Sequence, residues 1–207
     1  MSKAKIILFG GSFDPIHNGH LRVARVVLEK LCADQLILVP ARRSPHKKEL
    51  PVSGCHRLEM IRRVIADSER FSVSDCELNR CDPSYTLDTI HFFRNQYAPE
   101  DDLFWLIGAD QLREFDKWYK VSELLDICRI CVMYRAGYPK PNFERFQGIF
   151  SPVHITRLER DVVETPLIDI SSTEIRRKLA NGIMPYDDIP EPVSRYIQEN
   201  HLYDYIS

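Results

Sequence analysis

The apolar positions of this chain follow two periods that alternate along its length. Ile6-Ile7-Leu8-Phe9, Leu36-Ile37-Leu38-Val39 and Leu103-Phe104-Trp105-Leu106-Ile107 are continuous apolar runs, the pattern of strands buried on both faces of a parallel sheet. Between them the spacing widens to three and four. Leu21, Ala24, Leu28 and Leu31 form one helical stripe, Leu58, Ile61 and Ile65 with Met60 and Val64 a second, and Leu87, Ile90, Phe93 and Tyr97 a third. Phe71–Ser74 and Ile130–Tyr134 add strands, and Val153–Thr156 and Leu167–Ile170 have the composition of two more. Ser171 with Glu174 fits a capping box, Gly182 fits the stop of that helix, and Pro192 starts a last short helix. Gly137, Pro139, Pro141 and Gly148 mark 135–152 as a surface connection with at most a short helix. Strands alternating with helices predict an α/β fold with a doubly wound, mostly parallel sheet.

Composition narrows the classes. A chain of 207 residues is expected to form a single domain, 1–207, with no repeat or linker to divide it. Lys and Arg number 28 against 30 Asp and Glu, a formal charge of −2, so bulk polybasic binding of nucleic acid is not expected. No apolar run is long enough for a bilayer and the start lacks a signal-peptide core, which predicts a cytoplasmic protein with no membrane partner. The six cysteines form no dense framework and are expected as free thiols. Cys128 and Cys131 border a strand, where residues three apart point to opposite faces, so packing is favoured over a shared metal.

Candidate chemistry gathers at the ends of the predicted strands. Gly10-Gly11-Ser12-Phe13-Asp14-Pro15-Ile16-His17-Asn18-Gly19-His20 runs from the first strand into the first helix, where α/β sheets place ligands. Gly10 and Gly11 are read as a tight turn that admits a phosphate, Asn18 as the N-cap, and His20 as a first-turn residue near free N–H groups. His17 and His20 could face one polyanion together, or form half of a metal site, but no second ligand pair is evident. Four Lys or Arg and one His crowd Ala41–Lys48, a cationic loop on the same rim. Arg57, Arg62 and Arg63 are read as the solvent side of their helix, which Ser53 would cap, and Thr86 as the cap of the next. Asp110, just past a strand end, is placed either for a ribose hydroxyl or as a helix cap. Trp118 alone would be read as core, and hydroxyls with Arg176 at one helix start suit a polyphosphate.

Four strings in one order connect these places. GGSFDPIHNGHL, E-L-x-R-x-x-P-S-Y-T-x-D-T from Glu77, IGAD followed by Lys117-Trp118-Tyr119, and ISSTEIR from Ile170 together resemble the nucleotidyltransferase superfamily with its His-x-Gly-His signature. Within it they look most like the bacterial nicotinate-nucleotide adenylyltransferases. The resemblance implies a Rossmann-like nucleotidyltransferase fold and adenylyl transfer from ATP to nicotinate mononucleotide, giving deamido-NAD and pyrophosphate. It implies His17, His20 and Arg176 as catalytic groups. It further implies Gly10, Gly11, Ser12, Phe13, Lys47, Asp110, Ser171 and Ser172 around ATP, and Thr86, Trp118 and Tyr119 around the mononucleotide. Mg²⁺ would come with ATP rather than in a protein-built metal site, and a homo-oligomer is left open. The alternative functions are adenylyl transfer to nicotinamide mononucleotide, another adenylyltransferase activity of the superfamily, or nucleotide binding without turnover. Ser44 stands where family sequences often carry a second Pro, which leaves the path of that loop open.

Overall fold

The computed structural model describes residues 3–42 and 52–204. Among them, six strands form one sheet: β1 (Lys5–Gly11), β2 (Gln35–Pro40), β3 (Phe71–Val73), β4 (Asp102–Gly108), β5 (Arg129–Arg135) and β6 (Val162–Thr165). Their order is β3-β2-β1-β4-β5-β6 and every pairing is parallel. The sheet is thus wholly rather than mostly parallel. The strand order reverses between β1 and β4, which opens a crevice at their carboxyl ends.

Period-two alternation along the strands divides the core in two. Ile7, Phe9, Leu36, Leu38, Phe104, Leu106, Cys131 and Val163 point to one face, covered by α1 (Asn18–Lys30), α2 (Gly54–Ile65), α6 (Ser172–Ala180) and α7 (Glu191–Glu199). Ile6, Leu8, Ile37, Val39, Leu103, Trp105, Ile107, Ile130 and Val132 point to the other. There they meet α3 (Thr86–Arg94), α4 (Val121–Ile127), α5 (Pro152–Arg160) and a 3₁₀ stretch, Ala109–Lys117. Cys131 lies in the first cluster and Cys128 in the second. The two thiols face opposite sides of the sheet as free cysteines, and burial pushes both up to about 12.

Several local expectations are corrected. Val153–Thr156 lies in a helix, α5, because Ser151 caps it through a 3.2 Å bond from the His154 N–H and Pro152 takes the first helical position. The last strand is β6 at Val162–Thr165, and Leu167–Ile170 is irregular chain outside the sheet. The cap of α1 is His17, not Asn18, and that of α3 is Tyr85, not Thr86. Ser53 stands at the start of α2 without a side-chain cap bond. Ser171 does cap α6, but Glu174 spends its carboxylate on Arg177 instead of closing a box. Arg57 does not face solvent. No described helix is long and apolar enough to cross a membrane.

Candidate active site

The first turn past β1 carries most of the candidate residues. Gly10 and Gly11 are not the turn itself but the last two strand residues, paired with Val39 and Pro40 of β2. Gly10 is needed for a different close approach: a Cβ there would sit 2.5 Å from the Trp105 ring, which crosses from β4. The turn begins at Ser12, and Phe13 adopts a left-handed conformation, φ +47. This buries the Phe13 ring against Phe9 and under His20, with ring centroids 5.5 and 5.0 Å apart.

Side chains from distant elements then fasten the turn by its carbonyls. Arg57 of α2 donates from Nη1 to the Ser12 carbonyl at 2.6 Å. Arg176 of α6 donates from Nη1 to the Asp14 carbonyl at 2.7 Å, and the Ser172 hydroxyl to that of Pro15 at 3.2 Å. The Asp14 carboxylate accepts from the Tyr203 hydroxyl at 2.7 Å. The start of α6 is therefore held directly against the start of α1, which brings Ser171, Ser172 and Arg176 to the same rim as His17 and His20.

The two histidines are arranged by each other. His17 Nδ1 accepts the His20 N–H, and His20 Nδ1 accepts the His17 N–H, each at 3.3 Å. The rings stack 3.6 Å apart at 22°. Each Nδ1 is an acceptor, so the proton of each neutral ring sits on Nε2. Burial draws His17 from 6.5 down to about 4, with Asp188 pulling weakly the other way. Burial draws His20 well below 6.5, and His17 adds to the fall. The site thus presents two neutral N–H donors side by side at a helix start.

A second cluster stands where α3 begins. Arg80 Nη1 donates to Ser84 Oγ at 3.0 Å and to the buried Thr89 Oγ1 at 2.9 Å, and the Thr89 hydroxyl donates in turn to Glu77 Oε1 at 2.7 Å. Burial raises Glu77, while Thr89 and Arg80 hold it down. This network fixes how the chain enters α3. The Tyr85 N–H bonds to Asp88 Oδ2 at 3.2 Å and the Asp88 N–H bonds back to the Tyr85 carbonyl at 3.1 Å, so the first-turn N–H groups that lack an intrahelical acceptor are those of Thr86 and Leu87. Tyr85 stacks on Tyr119 with centroids 4.2 Å apart, although the two are 39% and 46% exposed. Half-buried Trp118 meets Phe115 edge-on at 5.2 Å. Arg42, at the end of β2, bonds to the Arg80 carbonyl and so ties this cluster to the strand beside β1.

Asp110 lies exposed at the carboxyl end of β4, its carboxylate folded into the space a Cβ at Gly108 would take. Lys47 lies outside the described residues. Sequence reasoning missed Arg57, Asp14, Tyr203 and the Arg80 network. Asp14 and the Arg80 network had a visible signal, since Asp14, Glu77, Arg80, Ser84 and Thr89 all lie inside the strings that carry the resemblance, whereas Arg57 and Tyr203 lie outside them. A separate cavity of about 660 Å³ opens at the opposite rim, at the amino ends of β4 and β5. In its lining, Asp102 pairs with Lys3 at 2.9 Å and with Arg129 at 3.0 Å.

Comparison with known proteins bears on the family and the fold. The model of the cytidylyltransferase-like family matches residues 8–178. A protein of Neisseria meningitidis serogroup C named "Probable nicotinate-nucleotide adenylyltransferase" is 38% identical over 201 residues, 97% of this chain and 98% of that protein. One of the same name from Rhodopirellula baltica is 35% identical over 197 residues, 95% and 92% of the two chains. Among solved structures, Plasmodium falciparum nicotinic acid mononucleotide adenylyltransferase complexed with NaAD superposes with a TM-score of 0.72. At 19% identity over 98% of each chain, that match bears on the fold.

Proposed function

Since the chain belongs to the cytidylyltransferase-like family, and its relatives over nearly the full length carry the nicotinate-nucleotide adenylyltransferase name, we propose that it transfers the adenylyl group of ATP to nicotinate mononucleotide. A phosphate oxygen of the mononucleotide attacks the α-phosphorus of ATP. The bond from that phosphorus to the bridging oxygen breaks, and pyrophosphate leaves with the electron pair, giving deamido-NAD for NAD synthesis.

The observation that carries the reading is the reciprocal pair of neutral imidazoles fastened beside Arg176 at the crevice between β1 and β4. The attacking phosphate is anionic already, so the chain needs no nucleophile of its own. Its work is positioning and charge stabilisation. His17 and His20 donate Nε2–H to phosphate oxygens, with His20 stabilising the charge that grows on the bridging oxygen. Arg176, held through Nη1 by the Asp14 carbonyl and through Nη2 by the Thr173 hydroxyl at 3.3 Å, offers its remaining N–H groups to the departing pyrophosphate. Lys47 would join it from the cationic loop. Ser12, Ser171, Ser172 and Asp110 border the nucleotide. Thr86, Trp118 and Tyr119 take the mononucleotide, its carboxylate toward the first turn of α3.

Magnesium enters as part of the ATP substrate. Its ligands would be phosphate oxygens and water, as Mg²⁺ dehydrates reluctantly and needs no full protein cage. The deciding experiment is an assay of pyrophosphate release from MgATP with nicotinate mononucleotide, its nicotinamide analogue, phosphopantetheine and no acceptor. Product with nicotinate mononucleotide alone, or far above the others, supports the reading. Turnover only with phosphopantetheine, or none with any acceptor, overturns it.

A further inference from the structure

Beneath the phosphate turn lie three buried polar side chains for which the adenylyl-transfer scheme has no use. Arg57 is 1% exposed, Asp14 0% and Tyr203 8%. Burying a charge is costly unless it is paired and hydrogen-bonded, and here each group has a defined partner. Arg57 donates to the carbonyls of Ser12 and Val52, at 2.6 and 3.3 Å, and faces Asp14 and Tyr203 electrostatically. The Tyr203 hydroxyl donates to Asp14 Oδ1 at 2.7 Å. Tyr203 itself holds a left-handed conformation, φ +62, inside the short 3₁₀ turn Leu202–Asp204. Asp14 is the hinge of the arrangement. Its carboxylate is held by Tyr203, while its carbonyl receives Arg176 Nη1 at 2.7 Å. The shorter of the two bonds that direct the guanidinium assigned to the triphosphate therefore runs to Asp14, the longer going from Nη2 to Thr173 Oγ1 at 3.3 Å in the same helix.

We propose that Tyr203 is a positioning residue of the ATP site: with Arg57 it holds Asp14 so that the Asp14 carbonyl aims Arg176 at the triphosphate. The inference rests on the reading of Arg176 as a phosphate-binding group. Tyr203 touches no substrate in this arrangement; it acts through Asp14. Burial and the neighbouring Asp14 both raise the phenol well above its ordinary range, so the hydroxyl stays a donor at any working pH.

The test is a double-mutant cycle on the full chain, with Tyr203→Phe, Arg176→Ala and the pair. Calorimetry reads MgATP affinity without turnover, and kinetics read the KM for nicotinate mononucleotide and, in the reverse direction, for pyrophosphate. Tyr203→Phe should weaken MgATP and pyrophosphate about tenfold, as loss of a buried bond to a charged acceptor does, while the KM for the mononucleotide stays within about twofold. In the Arg176→Ala background the same change should add less than about twofold, because both act through one contact. Asp14→Asn should shift the same constants in the same direction as Tyr203→Phe. Equal weakening of both substrates, independent effects that multiply, or unchanged MgATP affinity in Tyr203→Phe would each overturn the proposal. Absence of deamido-NAD synthesis by the unaltered protein would instead refute the reaction, and the calorimetric cycle would still report on Tyr203.

Discussion

His17 and His20 cap one another. Each ring takes the backbone N–H of the other through Nδ1 at 3.3 Å, and the rings stack at 3.6 Å. The bonds fix both tautomers and leave two Nε2–H donors abreast at the start of α1. A protonated ring could not accept through Nδ1, so the arrangement exists only while both imidazoles are neutral.

The pH dependence of stability follows. With His17 lowered to about 4 and His20 also well below 6.5, the unfolded chain takes up protons on falling pH before the folded one does. Stability should be full above about pH 6.5 and decline as pH falls toward about 4, by on the order of 3 kcal/mol for His17. Urea midpoints at pH 5 and pH 7.5 check this against His17→Asn, in which part of the slope should vanish. An identical slope in the variant would remove His17 as its source.

His20→Ala should cut turnover by roughly two orders of magnitude, the scale of a lost transition-state donor. MgATP affinity should fall far less, since His17 and Arg176 remain. Single-turnover rates at saturating substrate give the answer, and a rate near that of the parent would deny His20 its role.

Arg176→Ala should damage handling of the triphosphate more than that of the mononucleotide. Arg176→Lys should rescue only in part, because an ammonium cannot both satisfy the Asp14 carbonyl and offer a planar fork to phosphate. If Lys restores full pyrophosphate affinity, the bidentate role is wrong.

Selectivity should favour nicotinate over nicotinamide mononucleotide. A carboxylate can accept from the Thr86 and Leu87 N–H groups at the start of α3 with both oxygens, whereas a carboxamide turns an NH₂ toward at least one. Each buried donor left unpaired is worth about 1–3 kcal/mol. The ratio of kcat/KM values measures this, and a ratio near one would sink it. Trp118→Ala should weaken both substrates while changing the ratio little, since stacking is nearly indifferent to that substituent.

Gly10→Ala should destabilise the protein by about 1–3 kcal/mol through overpacking on Trp105. Pairing it with Trp105→Phe should recover part of the loss in thermal unfolding. A neutral Gly10→Ala would mean that the strand shifts freely there.

Much of the sheet was legible because its strands are apolar on both faces. Runs such as Leu36–Val39 have few other readings at that length. The edges were less so. Val162–Thr165 is four residues entering directly after a helix, whereas Val153-His154-Ile155-Thr156 is β-branched enough to imitate a strand although Ser151 and Pro152 start a helix there. The cap of α1 was misplaced because Asn outranks His by propensity, while the decisive bond needs both histidines in place. Resemblance supplied the roles of the site residues. The buried supports had no local signal at all. Arg57 reads as an ordinary helix charge until Ser12, 45 residues earlier, is brought beside it, and Tyr203 meets Asp14 across 189 residues.

Those anchoring bonds have a thermodynamic consequence. The phosphate turn is held in place by groups from α2, α6 and the Leu202–Asp204 turn, so it can reach its binding geometry only when the beginning, middle and end of the chain have all assembled. Nucleotide binding is then linked to global rather than local folding. Saturating MgATP should slow hydrogen exchange in the slowest core amides of β1 and β4 as well as at the rim, and raise the unfolding temperature with the logarithm of its concentration. A destabilising change far from the crevice, in α7 for instance, would in turn lower apparent ATP affinity by depleting the assembled state.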